Sequence, residues 1–243
     1  MDVRDPRARL IVPALPEPGD TVRLAPAEAA HARARRLVAG DAVLLLDGSG
    51  RTAAAEVVRL TGDEMVVAVS SVMEAGAREP GIVLYAAGLR AEKLAWMVEK
   101  ATELGISGVT IVESERTQRF RASERLLPRL ERVARESAKQ CERADWPRIA
   151  GPVSLPEALE HDSAAHRFFF DLAGAPFPDR LSAEPSAILI GPEGGWTDSE
   201  RSAASSKRWS VVRLPAGRLR AETAAIAALV LFRAAIDAGR RET

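Results

Sequence analysis

The sequence predicts an α/β protein in two parts: a small β-rich N-terminal region and a larger region built on a mostly parallel sheet. Three observations carry that prediction. From Gly81 onward, short apolar runs alternate with amphipathic stretches, the grammar of repeated βα units whose strands are covered on both faces. Before residue 72, strand-like runs are short and closely spaced between turn signals, as in a small barrel. The third is the apolar run Ala187-Ile188-Leu189-Ile190, which stops at Gly191-Pro192-Glu193-Gly194-Gly195-Trp196 and meets a helix start at Thr197-Asp198-Ser199-Glu200. A strand, a tight glycine loop and a helix N-terminus in series bring backbone groups close to a ligand.

Residues 1–72 form the first predicted domain. Leu10-Ile11-Val12 is apolar, and Thr21-Val22-Arg23-Leu24 alternates. Residues 27–37 read as a short helix carrying His31, Arg33, Arg35 and Arg36. A Gly40-Asp41 turn leads into a strand at 42–46, and Asp47-Gly48-Ser49-Gly50 is a strong hairpin signal. Strands follow at 52–60 and 64–69, across a Gly62-Asp63 turn. Residues 73–80 read as a linker.

Residues 73–243 form the second. A strand is expected at 82–86. A helix follows at 91–104, with Leu94, Met97, Val98, Ala101 and Leu104 on one stripe and Gly105 as its stop. After a strand at 109–112 comes the polar, arginine-rich stretch Ser114–Arg121. The long helix beyond it starts at Ser123 or takes Pro128 into its first turn. Its inner stripe is Leu130, Val133, Ala134, Ser137 and Cys141, and Trp146-Pro147 ends it. A short helix at 155–160, a buried strand at 167–171, the 187–190 strand, a helix at 197–206, a strand at 209–214 and a terminal helix at 221–238 complete the order. Three loops leave strand ends: the turn after Phe170, the Gly191 loop and the Pro215–Arg218 loop. Ligands of such sheets sit beyond the carboxyl ends of the strands, so these loops are expected to converge.

Composition excludes several classes. The chain has 34 basic and 34 acidic residues and no net charge, so attraction to nucleic acid must come from a local patch. Only Lys93, Lys100, Lys139 and Lys207 are lysine, so arginine supplies nearly all the positive charge. One cysteine, Cys141, allows no intrachain disulfide, and its helical setting suits a partly buried small residue. Three scattered histidines do not suit a zinc site, so no metal is expected. No run has the length of a membrane span, and residues 1–9 lack a signal-peptide core, so a cytoplasmic protein is expected.

The glycine loop is neither G-x-G-x-x-G nor a Walker A loop, which turns the reading away from dinucleotides and ATP. Taken alone it is equally a tight turn, with its glycines at positive φ and Glu193 in water. Arg220-Ala221-Glu222-Thr223-Ala224, opening the last helix, is a second polar motif, or an ordinary first turn with Glu222 favoured by the helix dipole.

Together, Gly191–Trp196 and Leu219–Ala224 resemble the RsmE family of ribosomal RNA methyltransferases, members of the SPOUT class. Glu99-Lys100-Ala101-Thr102-Glu103-Leu104-Gly105 looks like that family's K-A-T-E-L-G segment. Ser114-Glu115-Arg116-Thr117 resembles its S-E-R-[ST] loop. The stretch from Glu136 to Pro147, with Gln140 and Arg143, is similar to its E-A-A-E-Q-S-x-R…P segment. Pro215 stands where the family carries glycine and Gly217 where it carries arginine, and Ala30-His31 replaces a usual histidine pair.

The resemblance implies a C-terminal SPOUT-type parallel sheet with a trefoil knot and flanking helices, and an N-terminal PUA-like β-barrel. It implies S-adenosylmethionine as cofactor, held by Phe170, Leu172, Ile190, Gly191, Pro192, Gly194, Gly195, Leu214, Gly217, Leu219 and Thr223. The implied reaction is methylation of N3 of one uracil in 16S rRNA of the small ribosomal subunit. Uracil N3 must lose a proton, which calls for a base or a cation that stabilises the anion. Arg220 is the candidate cation. Glu193 or Glu222 is the candidate base, or the group that orients Arg220. RNA contacts are expected from Arg33, Arg36, Arg116, Arg119, Gln140 and Arg143, and a homodimer is expected. Alternatives are a SPOUT enzyme acting on transfer RNA or a ribose oxygen, a catalytically silent RNA-binding or ribosome-assembly protein, and a metabolite-binding α/β protein.

Overall fold

A computed structural model describes residues 6–74, 80–117, 123–160 and 164–241. Residues 75–79 of the expected linker lie outside the described residues. The chain divides into two compact units. One comprises the described residues of Met1–Arg78 with Ala138–Asp145, and the other those of Glu79–Ser137 with Trp146–Thr243.

The first unit holds a five-stranded sheet in the order β1-β3-β4-β5-β2, formed by β1 (Ala8–Ile11), β2 (Thr21–Leu24), β3 (Ala42–Leu46), β4 (Thr52–Thr61) and β5 (Glu64–Met73). Only β1 and β3 pair parallel; the other pairs are antiparallel. Two register shifts in the β4–β5 ladder bend the long hairpin. Helix α1 (Pro26–Ala34) packs Ala29 and Ala32 into the core with Leu10, Leu45, Met65 and Val67. Within this unit Lys139 meets Glu28 in a buried ion pair at 3.1 Å, and Arg9 meets Glu142 at 2.9 Å. Cys141 lies just past the end of helix α3 (Leu126–Gln140), not inside it, and is partly buried.

The second unit is a wholly parallel six-stranded sheet in the order β11-β9-β10-β6-β7-β8. Its strands are β6 (Ile82–Ala87), β7 (Gly108–Glu113), β8 (Arg148–Ser154), β9 (His166–Pro176), β10 (Ser186–Ile190) and β11 (Ser210–Arg213). Besides α3, its helices are α2 (Ala91–Glu103), α4 (Leu155–Glu160), α5 (Asp198–Ser206) and α6 (Ala221–Arg240). Strand side chains alternate between two cores. Ile188, Ile190, Phe168 and Phe170 join α2, α3 and α6. Ala187, Leu189 and Phe169 join α4, α5, Trp196 and Trp209. Both faces are therefore covered, which is why these strands read as unbroken apolar runs. Pro128 falls in the first turn of α3, as one of the two expected starts had it.

Two further features differ from the sequence reading. Strand β8 was not expected, because Gly151-Pro152 reads as a breaker. Proline is tolerated there because β8 is an edge strand with a register shift against β7. The expected turn after Phe170 is a wide bulge within a longer strand. β11 pairs Val211 with Phe169 and the next residue, Val212, with Ala175, so residues 170–174 loop out between adjacent rungs.

Candidate active site

A cavity of about 340 Å³ opens at the carboxyl ends of β9, β10 and β11, the place where parallel sheets bind ligands. Its walls are the β9 bulge, the loop after β10 and the loop after β11. Glycine and apolar residues line it together with the charged side chains of Arg116, Asp171, Glu193, Arg201 and Arg218.

The loop after β10 is held on every side. Trp196 is buried, tilts against Phe169 with ring centroids 4.5 Å apart, and donates its Nε1–H to the Phe170 carbonyl at 3.0 Å. A Cβ on Gly191 would meet that indole at 2.7 Å, so a side chain is excluded there. The Gly195 N–H donates to the Pro192 carbonyl at 2.9 Å, and Gly195 sits at φ 70°, a left-handed turn residue. Gly191 and Gly194 are not at positive φ, so the expectation of positive-φ glycines holds at Gly195 alone. Gly191 is required for packing instead.

The capping box forms as its spacing predicts. The Glu200 N–H donates to Thr197 Oγ1 at 3.2 Å, and the Thr197 N–H donates to Glu200 Oε2 at 2.8 Å. The other Glu200 oxygen accepts from the Glu115 N–H at 2.9 Å, which ties the Ser114–Thr117 loop to this helix start. Arg116 then crosses the glycine loop and donates to the Gly194 carbonyl at 2.7 Å.

Charged groups gather beside the cavity. Lys93 lies between Glu193, with which it is in close hydrogen-bond contact, and Glu222 at 3.2 Å. That hydrogen bond and the Lys93 charge hold the Glu193 carboxyl below the usual carboxylate range, and Arg220 and Arg90 add to the effect. The same Glu193 contact raises Lys93. The second Glu222 oxygen, Oε2, is buried and finds no donor among the described residues. Arg220 is exposed and caps α6 with its backbone, its carbonyl accepting from the Ala224 N–H at 2.8 Å. On the opposite side, Asp171 accepts from Arg201 at 3.0 Å and from the Ala173 N–H at 2.8 Å, while Arg201 also donates to the Trp196 carbonyl at 2.9 Å.

The family model described as an RNA methyltransferase domain matches residues 77–233. The chain belongs to this RNA methyltransferase family. The resemblance to the RsmE family read from the motifs holds. The chain is 28% identical over 213 residues to the ribosomal RNA small subunit methyltransferase E of Synechocystis, covering 84% of this chain and 70% of that protein. It is similar in structure to a probable rRNA-methyltransferase from Porphyromonas gingivalis, with TM-score 0.84 and 27% identity over 95% of this chain and 99% of that one. A Neisseria gonorrhoeae ribosomal RNA small subunit methyltransferase E, solved with S-adenosyl methionine, shares the fold with TM-score 0.84 at 22% identity over 93% and 96% of the two chains.

In this RNA methyltransferase, Phe170, Leu172, Ile190, Gly191, Pro192, Gly194, Gly195, Leu214, Gly217 and Leu219 line the cavity together, as does Glu193. Thr223 does not: it faces outward from the first turn of α6, exposed. Arg220 and Glu222 are likewise not part of the lining. Of the residues expected to contact RNA, Arg116 lines the cavity. Arg33, Arg36, Gln140 and Arg143 belong to the first unit. There Arg33 pairs with Asp63 at 2.9 Å, Arg143 pairs with Asp145 at 3.0 Å, and Arg36 is exposed at φ 56°. Arg119 lies outside the described residues.

Three participants were not read from the sequence. Asp171 had a usable signal, an acid at the end of a buried parallel strand. Arg201 and Lys93 had none. Lys93 stands 100 residues from Glu193, and only the fold brings them together. Among the described residues no group of three His, Cys, Asp or Glu suits a metal, and no helix is long and apolar enough to cross a membrane.

Proposed function

We propose that this chain transfers a methyl group from S-adenosylmethionine to N3 of one uracil in 16S rRNA of the small ribosomal subunit. The observation that carries the reading is the glycine-lined cavity at the ends of β9, β10 and β11, with a cluster of carboxylates and cations beside it. Its volume of about 340 Å³ lies in the range of small-ligand sites.

The residues present fit that cofactor. Ile190–Gly195 and Leu214–Leu219 offer backbone groups and apolar side chains to an adenine. Asp171, anchored by Arg201, presents a carboxylate suited to ribose hydroxyls. When bound, the cofactor supplies a methyl group on a positively charged sulfur, open to in-line displacement. The chain's task is alignment and charge. Fixing the acceptor in line replaces a bimolecular encounter and supplies most of the acceleration.

Arg220, exposed at the α6 cap, is the group we assign to the uracil anion. Glu193 is held ionised by Lys93. That suits orienting Arg220, whose charge it feels, better than taking a proton near neutral pH. Glu222, outside the lining, keeps one oxygen with no donor among the described residues, and we assign it the base role on that ground. Arg116, with Arg33, Arg36, Arg119, Gln140 and Arg143, contacts RNA through phosphates in this reading.

The domain reading is part of the proposal: 1–72 a PUA-like RNA-binding barrel and 73–243 a knotted SPOUT domain. Support comes from the bent β4–β5 hairpin, from the sheet order, and from the β9–β10 connection bonding to α6, with the Leu181 N–H on the Ala235 carbonyl at 3.0 Å. A cytoplasmic homodimer completes it, with α6, on which Val230 is half-exposed, as the helix we assign to the two-fold.

The deciding experiment is mass spectrometry of 16S rRNA from cells with and without the gene. Loss of one methyl on one uracil is expected. A methyl lost from transfer RNA or from a ribose oxygen replaces this target, and no cofactor binding at millimolar S-adenosylmethionine leaves a silent RNA-binding protein. For the assigned cation, Arg220→Ala is expected to lower the single-turnover rate on the order of a hundredfold or more, the range for removing one charge-stabilising donor. A wild-type rate with an unchanged pH profile removes Arg220 from the mechanism.

A further inference from the structure

Lys93 sits in the first turn of α2 and is no part of the cavity lining, yet its ammonium joins three elements that are distant in sequence. It contacts Glu193 in the loop after β10 and Glu222 in the first turn of α6, while its own stem belongs to α2. We propose that Lys93 is a positioning residue for methyl transfer, fastening the glycine loop to the start of α6 so that Glu193, Glu222 and Arg220 keep a fixed spacing. The inference rests on the methyltransferase reading and names a residue outside its motifs.

Two observations support it. The first is Glu222. Its side chain is only 12% exposed, Oε2 already lacks a donor among the described residues, and Lys93 is the cation on its other oxygen. A carboxylate so placed is costly without that partner, so Lys93 decides where Glu222 points. The second is the charge around Glu193. Lys93 from α2, Arg90 just ahead of α2 and Arg220 at the cap of α6 all bear on Glu193, and Glu222 is the other acid of the group. Positive charge around two carboxylates is what favours an anion forming nearby. Losing Lys93 removes the cation in direct contact with both and frees Glu193 to take up a proton at higher pH.

The test uses the full chain, with Lys93→Met and Lys93→Arg in single-turnover methylation of small ribosomal subunits across pH at saturating cofactor. Lys93→Met is expected to slow the reaction on the order of tenfold, the scale of a small misplacement, and to move the acid limb of the profile upward. Lys93→Arg restores most of the rate and the limb, because it keeps the charge. Melting temperatures are measured in parallel. Lys93→Met with a wild-type rate and limb overturns the proposal. So do equal defects in both variants with matched losses of melting temperature, which make the residue a packing element only. Should the wild-type chain neither bind S-adenosylmethionine nor methylate the subunit, the functional reading itself has failed. An active wild type with an unaffected Lys93→Met sinks the positioning role alone.

Discussion

The two loops that face each other across the cavity are built on opposite principles. Gly191–Trp196 is held by a buried indole, a turn hydrogen bond, a capping box and the Arg116 side chain. Pro215–Arg218 is exposed, and none of its four residues makes a hydrogen bond with another described residue. Their glycines differ in the same way. A Cβ on Gly191 would strike the Trp196 ring at 2.7 Å, whereas one on Gly217 would meet nothing within 4 Å. The difference teaches that two walls of one cavity can be fastened unequally. One is fixed by the core, and the other has no such ties.

The strongest way to break that contrast is to remove the indole. Trp196→Ala is expected to cost about 3–5 kcal/mol, the usual loss for a large buried aromatic, and to abolish cofactor binding. Thermal melting with calorimetric titration checks both, and a variant that melts normally shows that the loop does not depend on the core. Gly191→Ala comes next. The indole must move and give up its bond to the Phe170 carbonyl, so a cost of about 1–3 kcal/mol is expected, with much weaker binding. Measured stability equal to wild type means that the tight packing is relieved without penalty.

The ion pair that ties the rigid loop to α2 gives a smaller, pH-dependent effect. Glu193 has its pKa lowered in the folded chain. Its stabilising contribution is therefore complete above the unfolded carboxyl value and is lost as pH falls through the folded one. Lys93 is raised, so its contribution is complete below the ordinary lysine value and disappears as pH rises through the higher one. Because Glu193 is mostly exposed, solvent screening keeps the effect slight. Melting curves of wild type and Glu193→Gln should differ by a constant amount near neutrality and converge in acid; a gap that persists in acid rules out this ion pair as its source. The smallest expected change is Gly217→Ala, within about 0.5 kcal/mol of wild type as for open surface positions. If it instead destabilises as much as Gly191→Ala, the two walls are alike after all.

Much of this was legible in the residues. Thr197 and Glu200 are three apart, and a capping box needs nothing else, so the start of α5 was readable locally. The alternation of Ala187, Ile188, Leu189 and Ile190 between two cores follows from a strand buried on both faces. Strand β8 was hidden because Gly151 and Pro152 carry a local signal against strands that an edge position overrides. The β9 bulge was hidden because register against β11 is a property of two strands, and Phe170–Gly174 alone reads as a turn.

By itself the sequence determined the alternating order of strands and helices, the sheet buried on both faces, and the convergence of the β10 and β11 loops, which line one cavity. These depend on periodicity, turn chemistry and motif spacing, which act over a few residues. Only the tertiary structure decided that Gly191 is required by the Trp196 ring, that Asp171 is anchored by Arg201, and that Lys93 stands between Glu193 and Glu222. Each of these is a contact or a charge acting through space, and such effects depend on distances that chain folding alone sets.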